Sequence, residues 1–352
     1  MGTVANTQET LIGVSFKKQS AIGTGVSSTG DFWRIAKTNA ALATVDPTTE
    51  SDAADIGKGD EFARNVYPLA QNAQVPIEGY LTSQKLAWAM CFGLGKTTKT
   101  APAAGAYLYT CTMSDPVTDS IEPPLFTYAE QIRPGGSSVV DRAILDCAIN
   151  SVAIRMNSGA GRQNSQISVE AVGSGRVTQP STITLPSALT ESGLNAGGFG
   201  VTINGVNYVT AKSFVDCELT LGKNMDLESG LYPGSGATSA GFQVRGRMEH
   251  GSRTLGLRFK ARFTNGSTEL SDLLAQTVGT AVLTWQGALI TGSTYHGATI
   301  TFHKVIISSA IVGDTNGKVT VDCQLAAIVH SSNGLITAAC TTNVDNILTA
   351  AA

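Results

Sequence analysis

Asp314-Thr315-Asn316-Gly317-Lys318-Val319-Thr320-Val321-Asp322-Cys323 is the stretch on which the fold class turns. Asn-Gly supplies the two positive φ angles of a tight hairpin turn. Beyond the turn, Val319, Val321 and Cys323 alternate with Thr320 and Asp322, the period of two that marks a strand with one buried face. The same alternation recurs elsewhere: Ile167, Val169 and Ala171 stand against Ser168 and Glu170. Leu255, Leu257, Phe259, Ala261 and Phe263 share one strand face, with Arg258, Lys260 and Arg262 on the other. The chain is expected to be mainly β.

Two helices interrupt this pattern. One spans about Ser83 to Leu94, with Thr82 as N-cap, Leu86 and Met90 on one face, and Gly93 or Gly95 as its stop. The other follows Ser267 or Thr268, sets Glu269 and Asp272 near its positive end, and stops before Gly279. Each sits in a similar succession. The extended stretch 74–81 precedes the first helix, and residues 106–113 and a hairpin at about 145–173 follow it. Strand 254–263 precedes the second, and residues 280–289 and a hairpin at about 298–329 follow it. This reads as a strand, helix, strand and hairpin unit present twice, with a seam near 178–200 and an additional strand at 124–131 in the first copy. The expected organisation is a first unit over 1–180 and a second over 181–352. Residues 36–73 read as a long acidic arm, 222–240 as a Gly/Ser-rich loop, and 331–352 as a weakly patterned C-terminal arm or frayed tail.

Only 14% of the 352 residues are charged and the formal net charge is −3, a composition that suits burial against other copies and argues against a general nucleic-acid binder. Cys91, Cys111, Cys147, Cys217, Cys323 and Cys340 form no CxxC pair and are expected to be buried free thiols. The first residues lack the apolar core of a secretory signal, and no stretch approaches about 18 apolar residues, so neither export nor membrane insertion is expected. Gly93-Leu94-Gly95-Lys96-Thr97 closes a helix where a phosphate-binding loop opens one. His250, His296, His303 and His330 have no metal-ligand spacing, and His303 and His330 fall in strand-like sequence. There is no GxSxG element, and acidic pairs such as Asp60-Glu61 lie in loop-like sequence. No catalytic residue, metal or cofactor is expected.

The charges are segregated. Asp46, Glu50, Asp52, Asp55, Asp60 and Glu61 lie in the arm. Arg245 and Arg247 are expected on one strand face, Arg253 near the next turn, and Arg258, Lys260 and Arg262 on the following strand. A solvated sheet face, a surface pairing with the acidic arm of a neighbouring subunit, and a DNA contact are the three readings of the basic stripe.

Gly13-Val14-Ser15-Phe16-Lys17-Lys18-Gln19-Ser20-Ala21-Ile22-Gly23-Thr24 resembles the start of the tail tube (major tail) proteins of long-tailed bacteriophages. So do Ile56-Gly57-Lys58-Gly59 in the acidic arm, the stretch ending Gly79-Tyr80-Leu81, and Val172-Gly173-Ser174-Gly175. The resemblance implies two tandem β-sandwich or barrel units, each with one short flanking helix and long loops. It also implies rings that stack into a hollow virion tube through which DNA passes without specific binding. Two units per chain favour a trimer presenting six units, with a hexamer as the alternative, and other tail proteins at the tube ends. Assembly would take place in the host cytoplasm. In this family the long loops ahead of the helices contact the adjacent ring, which gives residues 36–73 and 222–240 that role by position. The competing expectation is another self-associating virion or surface β-sandwich, such as a capsid-decorating or adhesin-like protein.

Overall fold

The computed structural model describes residues 10–349 apart from 37, 39–41, 52–64, 116–118, 120–121, 134–139, 159–164, 228–229, 232–237, 239–240 and 266. The architecture is mainly β, as the alternation requires, and every pairing between named strands is antiparallel. Its spine is a ladder of eight strands. In spatial order these are β3 (Thr44–Ser51), β4 (Val66–Tyr80), β9 (Gln166–Gly173), β8 (Val140–Asn157), β13 (Phe214–Gly222), β14 (Thr254–Arg262), β17 (Lys318–Ala327) and β16 (Thr294–Thr315). One face of the ladder is the core side, with Val75, Ile77, Val169, Ile154, Leu219, Phe259 and Cys323 buried. The other carries Glu78, Arg155, Glu218, Arg258 and Asp322, none of them buried. This is the consequence of a two-residue period with one apolar face.

The strands β8 and β16 are long enough to serve a second layer. Residues 140–147 of β8 pair with β7 (Phe126–Ile132) and β10 (Val177–Thr178), while β7 pairs with β1 (Thr10–Ser15) and β1 with β2 (Phe32–Arg34). The first part of β16 pairs with β15 (Gly279–Thr291) and β18 (Ile336–Thr342), while β15 pairs with β11 (Phe199–Ile203) and β11 with β12 (Val206–Asn207). The turn at Asn316 and Gly317 has φ of 55° and 72°, as Asn-Gly demands.

Connectivity recurs along the chain. Strands β11 to β14 and β15 to β18 have partners of the same rank as β1 to β4 and β7 to β10. Both long strands also carry a bulge at the same place: the register slips between Ile149 and Ser151 against β9, and between Ile307 and Ser309 against β17. Each slip falls just beyond the last residue paired to the preceding strand, Cys147 or Val305. The strand in the place of β15 is thus β7, and not residues 106–113 as the sequence suggested. Those residues are β6 (Ala106–Met113), which with β5 (Gly95–Ala103) forms a hairpin lacking a second-half counterpart and pairs with β18.

The helix α1 (Ser83–Leu94) begins where Thr82 accepts a hydrogen bond from the Lys85 N–H and ends at Gly95, whose φ is 92°. The run Leu86-Ala87-Trp88-Ala89-Met90-Cys91-Phe92 has no polar face, and all the residues of α1 are buried. Trp88, Phe92 and Phe126 meet at 5.0–5.6 Å between ring centroids, and the Trp88 indole N–H donates to the Ser15 carbonyl. The helix α2 (Glu269–Ala275) is shorter and ends at Gln276 in the left-handed conformation, just ahead of the expected stop.

Three expectations are corrected. Residues 36–73 are not simply a loop arm: β3 and the first part of β4 form an exposed hairpin, with residues 52–64 outside the described residues. Residues 331–352 include β18, a strand held between β16 and β6, with Ala338 and Cys340 fully buried. His303 lies in β16, but His330 lies in the turn after β17, bridged to Gly334.

Candidate assembly surface

Within the described residues, β3 is bonded to a strand only along its β4 side, and β16 beyond Val305 only along its β17 side. The ladder therefore ends in two open edges whose N–H and C=O groups are available to another chain. Exposed apolar side chains cluster at both ends. Val66, Tyr67 and Leu69 lie on the β3–β4 hairpin, and Ile311, Val312 and Val319 on the β16–β17 hairpin. Pro47 breaks the outer part of the β3 edge, and the register against β4 slips beside it, where Leu69 of β4 is left unpaired between the partners of Thr48 and Thr49; regular pairing is confined to the residues before it.

The root of β3 is clamped. Glu130, fully buried on β7, accepts hydrogen bonds from the Tyr128 hydroxyl at 3.0 Å and from the Ala43 N–H at 3.4 Å. It is paired with Arg142, its cross-strand neighbour on β8, whose guanidinium also donates to the Ala43 carbonyl. At the bend of β8, Asp146 has φ of 56° and its carboxylate takes the Gly23 N–H, the Ser174 hydroxyl and Arg176.

The acidic residues expected at a subunit contact divide: Asp46 and Glu50 are exposed on β3, while Asp52, Asp55, Asp60 and Glu61 lie outside the described residues. The basic stripe is dispersed. Arg245 and Arg247 share no strand face, because residues 244–249 are irregular. Arg245 is buried, with its guanidinium on Asn72 and the Leu227 carbonyl, so it cannot serve an outer contact. Arg247 is exposed and 3.5 Å from Glu249, and Arg253 donates to the Ser114 carbonyl at 2.7 Å. Arg258 is bidentate on Asp322 and 3.8 Å from Asp216. Lys260 stands between Asp216 and Asp322 by register, and Arg262 is exposed at the end of β14. The stripe is thus interleaved with carboxylates of its own sheet. Its β14 members, Arg258, Lys260 and Arg262, also lie five strands from β3, about 24 Å at ~4.8 Å per strand, too far for pairing with the arm of the same chain.

No family model and no curated protein matches this chain.

Chemistry inside the core is limited by burial. All six cysteines are free and buried, and burial pushes the Cys147 and Cys217 thiols far up and Cys323 to about 12. Ser83 lies 2.7 Å from His296 Nδ1, a nucleophile-and-base geometry that no spacing in the chain signals. Ser83 is fully buried, however, and neither residue lines the 540 Å³ cavity described below. No group of three or more His, Cys, Asp or Glu among the described residues is arranged to hold a metal ion.

Lys223 is the outlier among the cations. It is 4% exposed, and its ammonium donates to the Phe92 carbonyl in the last turn of α1. Burial, helped by repulsion from Arg253, lowers its pKa from 10.5 to about 7. Between those two values the unfolded chain holds a proton that the folded chain has released. Folding stability therefore rises as the pH climbs from about 7 toward 10.5, by at most about 1.4 kcal/mol per pH unit, and the gain is lost again on returning to pH 7. Lys223→Met should flatten this slope relative to the parent in urea titrations over that range. An unchanged slope would assign it to other groups.

Proposed function

We propose that this chain is a structural subunit that closes into rings through its two open sheet edges. The rings stack into the hollow tail tube of a long-tailed bacteriophage, a virion component with no catalytic role. The observation that carries the proposal is the seam inside the ladder. Strands β3-β4-β9-β8 and β13-β14-β17-β16 are blocks of the same connectivity, and β8 of the first is paired directly to β13 of the second. The open edges at the ladder's ends are the equivalents of the two joined at that seam. We read the blocks, with their helices and second layers, as two copies of one unit. A second molecule placed by the same operation sets its β3 on β16 of the first. This is a head-to-tail contact that closes when the rotation completes a circle.

The two bulges fix the register of such a contact. They make Ser309 the equivalent of Ser151 and Ile311 that of Ala153, and through β17, β9 and β4 they make Thr44 the equivalent of Thr220 and Asp46 that of Gly222. Since Ala153 faces Thr220 and Ser151 faces Gly222 within the chain, Ile311 faces Thr44 of the neighbour and Ser309 faces its Asp46. Pro47 lies just past the paired stretch. Three chains then present six blocks, and this is the ring size favoured over six chains.

In this reading the polar face of the ladder lines the bore and the helices lie outside it. Arg258, Lys260 and Arg262 then belong to the channel and not to a subunit contact. Their neighbours Asp216, Glu218 and Asp322 keep the wall from presenting the excess of cations that holds DNA. The exposed β3–β4 hairpin is placed to reach the next ring, and tail proteins of other kinds cap the tube. Electron microscopy of the purified protein tests the proposal. Hollow filaments with a ring repeat, three-fold on rotational averaging, are expected. Discrete particles or unassembled monomer at high concentration would overturn it in favour of a capsid-decorating or adhesin-like protein.

A further inference from the structure

A cavity of about 540 Å³ opens where the loop after β1, the end of α1, the segment between β6 and β7, and the irregular stretch before β14 converge. Five cationic side chains line it, against two carboxylates, and one of those carboxylates, Asp119, is already held by Lys96 through both oxygens. Cations near a helix C-terminus ordinarily complement its dipole. That accounts for one donor of Lys223, which satisfies the Phe92 carbonyl at 3.0 Å, and an ammonium has three. Arg253 is spent in part on Ser114 and feels the opposing charge of Asp115, yet it still acts on Lys223 as an unfavourable like charge. Two cations that line one cavity and repel each other are what a bound anion would relieve. Lys18, which is exposed, adds positive charge to the same lining, and so does Arg247, though Glu249 lies 3.5 Å from it.

We propose that this cavity binds a phosphate-type oxyanion, with Lys223 and Arg253 as its principal holders. The volume accommodates a free phosphate with its hydration or the phosphate of a larger molecule. The site owes nothing to contacts between copies, so its failure would leave the assembly proposal untouched, and the reverse holds as well.

The test is calorimetric titration of the full-length protein with inorganic phosphate at constant ionic strength, with chloride as the reference and a short single-stranded oligonucleotide as a second ligand. Saturable phosphate binding, weakened about tenfold or more in Arg253→Gln and in Lys223→Met, is expected from the loss of a charge-assisted hydrogen bond. Arg253 is only partly buried, so its variant keeps the measurement possible if the Lys223 variant fails to fold. A response to phosphate alone identifies a free ion, and an equal response to the oligonucleotide identifies a phosphodiester. Phosphate binding no tighter than chloride, or binding untouched in Arg253→Gln, overturns the proposal.

Discussion

Cysteines introduced together at Thr44 and Ile311 are expected to join neighbouring chains into covalently closed rings, so that non-reducing electrophoresis shows products that stop at three chains. The two positions face each other across the proposed contact, where directly opposed Cβ atoms in an antiparallel pair lie about 4.5–5.5 Å apart, close to what a disulfide spans. Competing oxidation by reagents in solution is suppressed because the six native thiols are buried, and burial raises the Cys147 and Cys217 thiols further. Pairing T44C with V312C supplies the control. Val312 faces Val321 on the core side of the sheet, whereas Ile311 faces Asp322 on the polar side, so moving the cysteine by one residue turns it to the other face. The reading predicts near-complete cross-linking for the first pair and almost none for the second. A ladder of bands without an end would mean an open filament. Equal yields from the two pairs would remove the register, and no product under assembling conditions would remove the contact.

Arg142→Met is expected to cost about 3–5 kcal/mol, the usual penalty for stranding one member of a buried ion pair, because Glu130 has no exposed surface on which to rehydrate. The damage reaches further than the pair itself. Arg142 and Glu130 together hold both the N–H and the C=O of Ala43, so the residues entering β3 lose their anchor along with the charge partner. Adding Glu130→Gln should restore a large part of the loss, since a neutral amide still accepts from Tyr128 without requiring a counter-charge. Urea midpoints of the single and double variants measure both effects. A single variant within about 1 kcal/mol of the parent would show that the pair contributes as little as exposed pairs commonly do.

What could be read from the sequence was what burial writes into it. The strands flanking Asn316-Gly317, the strand 254–262 and the hairpin ending at Gly173 carry a clear period, because each has one face in the core, whereas the two helices were legible from Thr82, Gly95 and the acidic first turn of α2. Thr44-Val45-Asp46-Pro47-Thr48-Thr49-Glu50-Ser51 has none, since both faces of that strand are largely solvated and its only obligation is to pair with β4. It was legible only as an acidic loop. Ile336-Thr337-Ala338-Ala339-Cys340 does alternate in burial, but alanine stands on both faces and hides the period. Arg245 shows the limit for single residues. A cation in a Gly-rich stretch reads as a surface charge, and only the approach of Asn72 and Leu227 from elsewhere in the chain makes its burial tolerable. The open edges of the ladder, on which the assembly reading rests, are a property of pairing partners that are absent, and no local pattern encodes an absence.

The long strands β8 and β16 have one more consequence. Each is a single run of backbone that belongs to two layers, and β18, near the end of the chain, is paired to β6 from the first half. Neither layer can be peeled away, and neither half can be excised, without tearing hydrogen bonds from the element that remains. Unfolding by denaturant should therefore proceed as one transition despite the chain's length, with coincident far-ultraviolet circular dichroism and tryptophan fluorescence midpoints. Limited proteolysis should then nick exposed turns without releasing a stable fragment corresponding to either half.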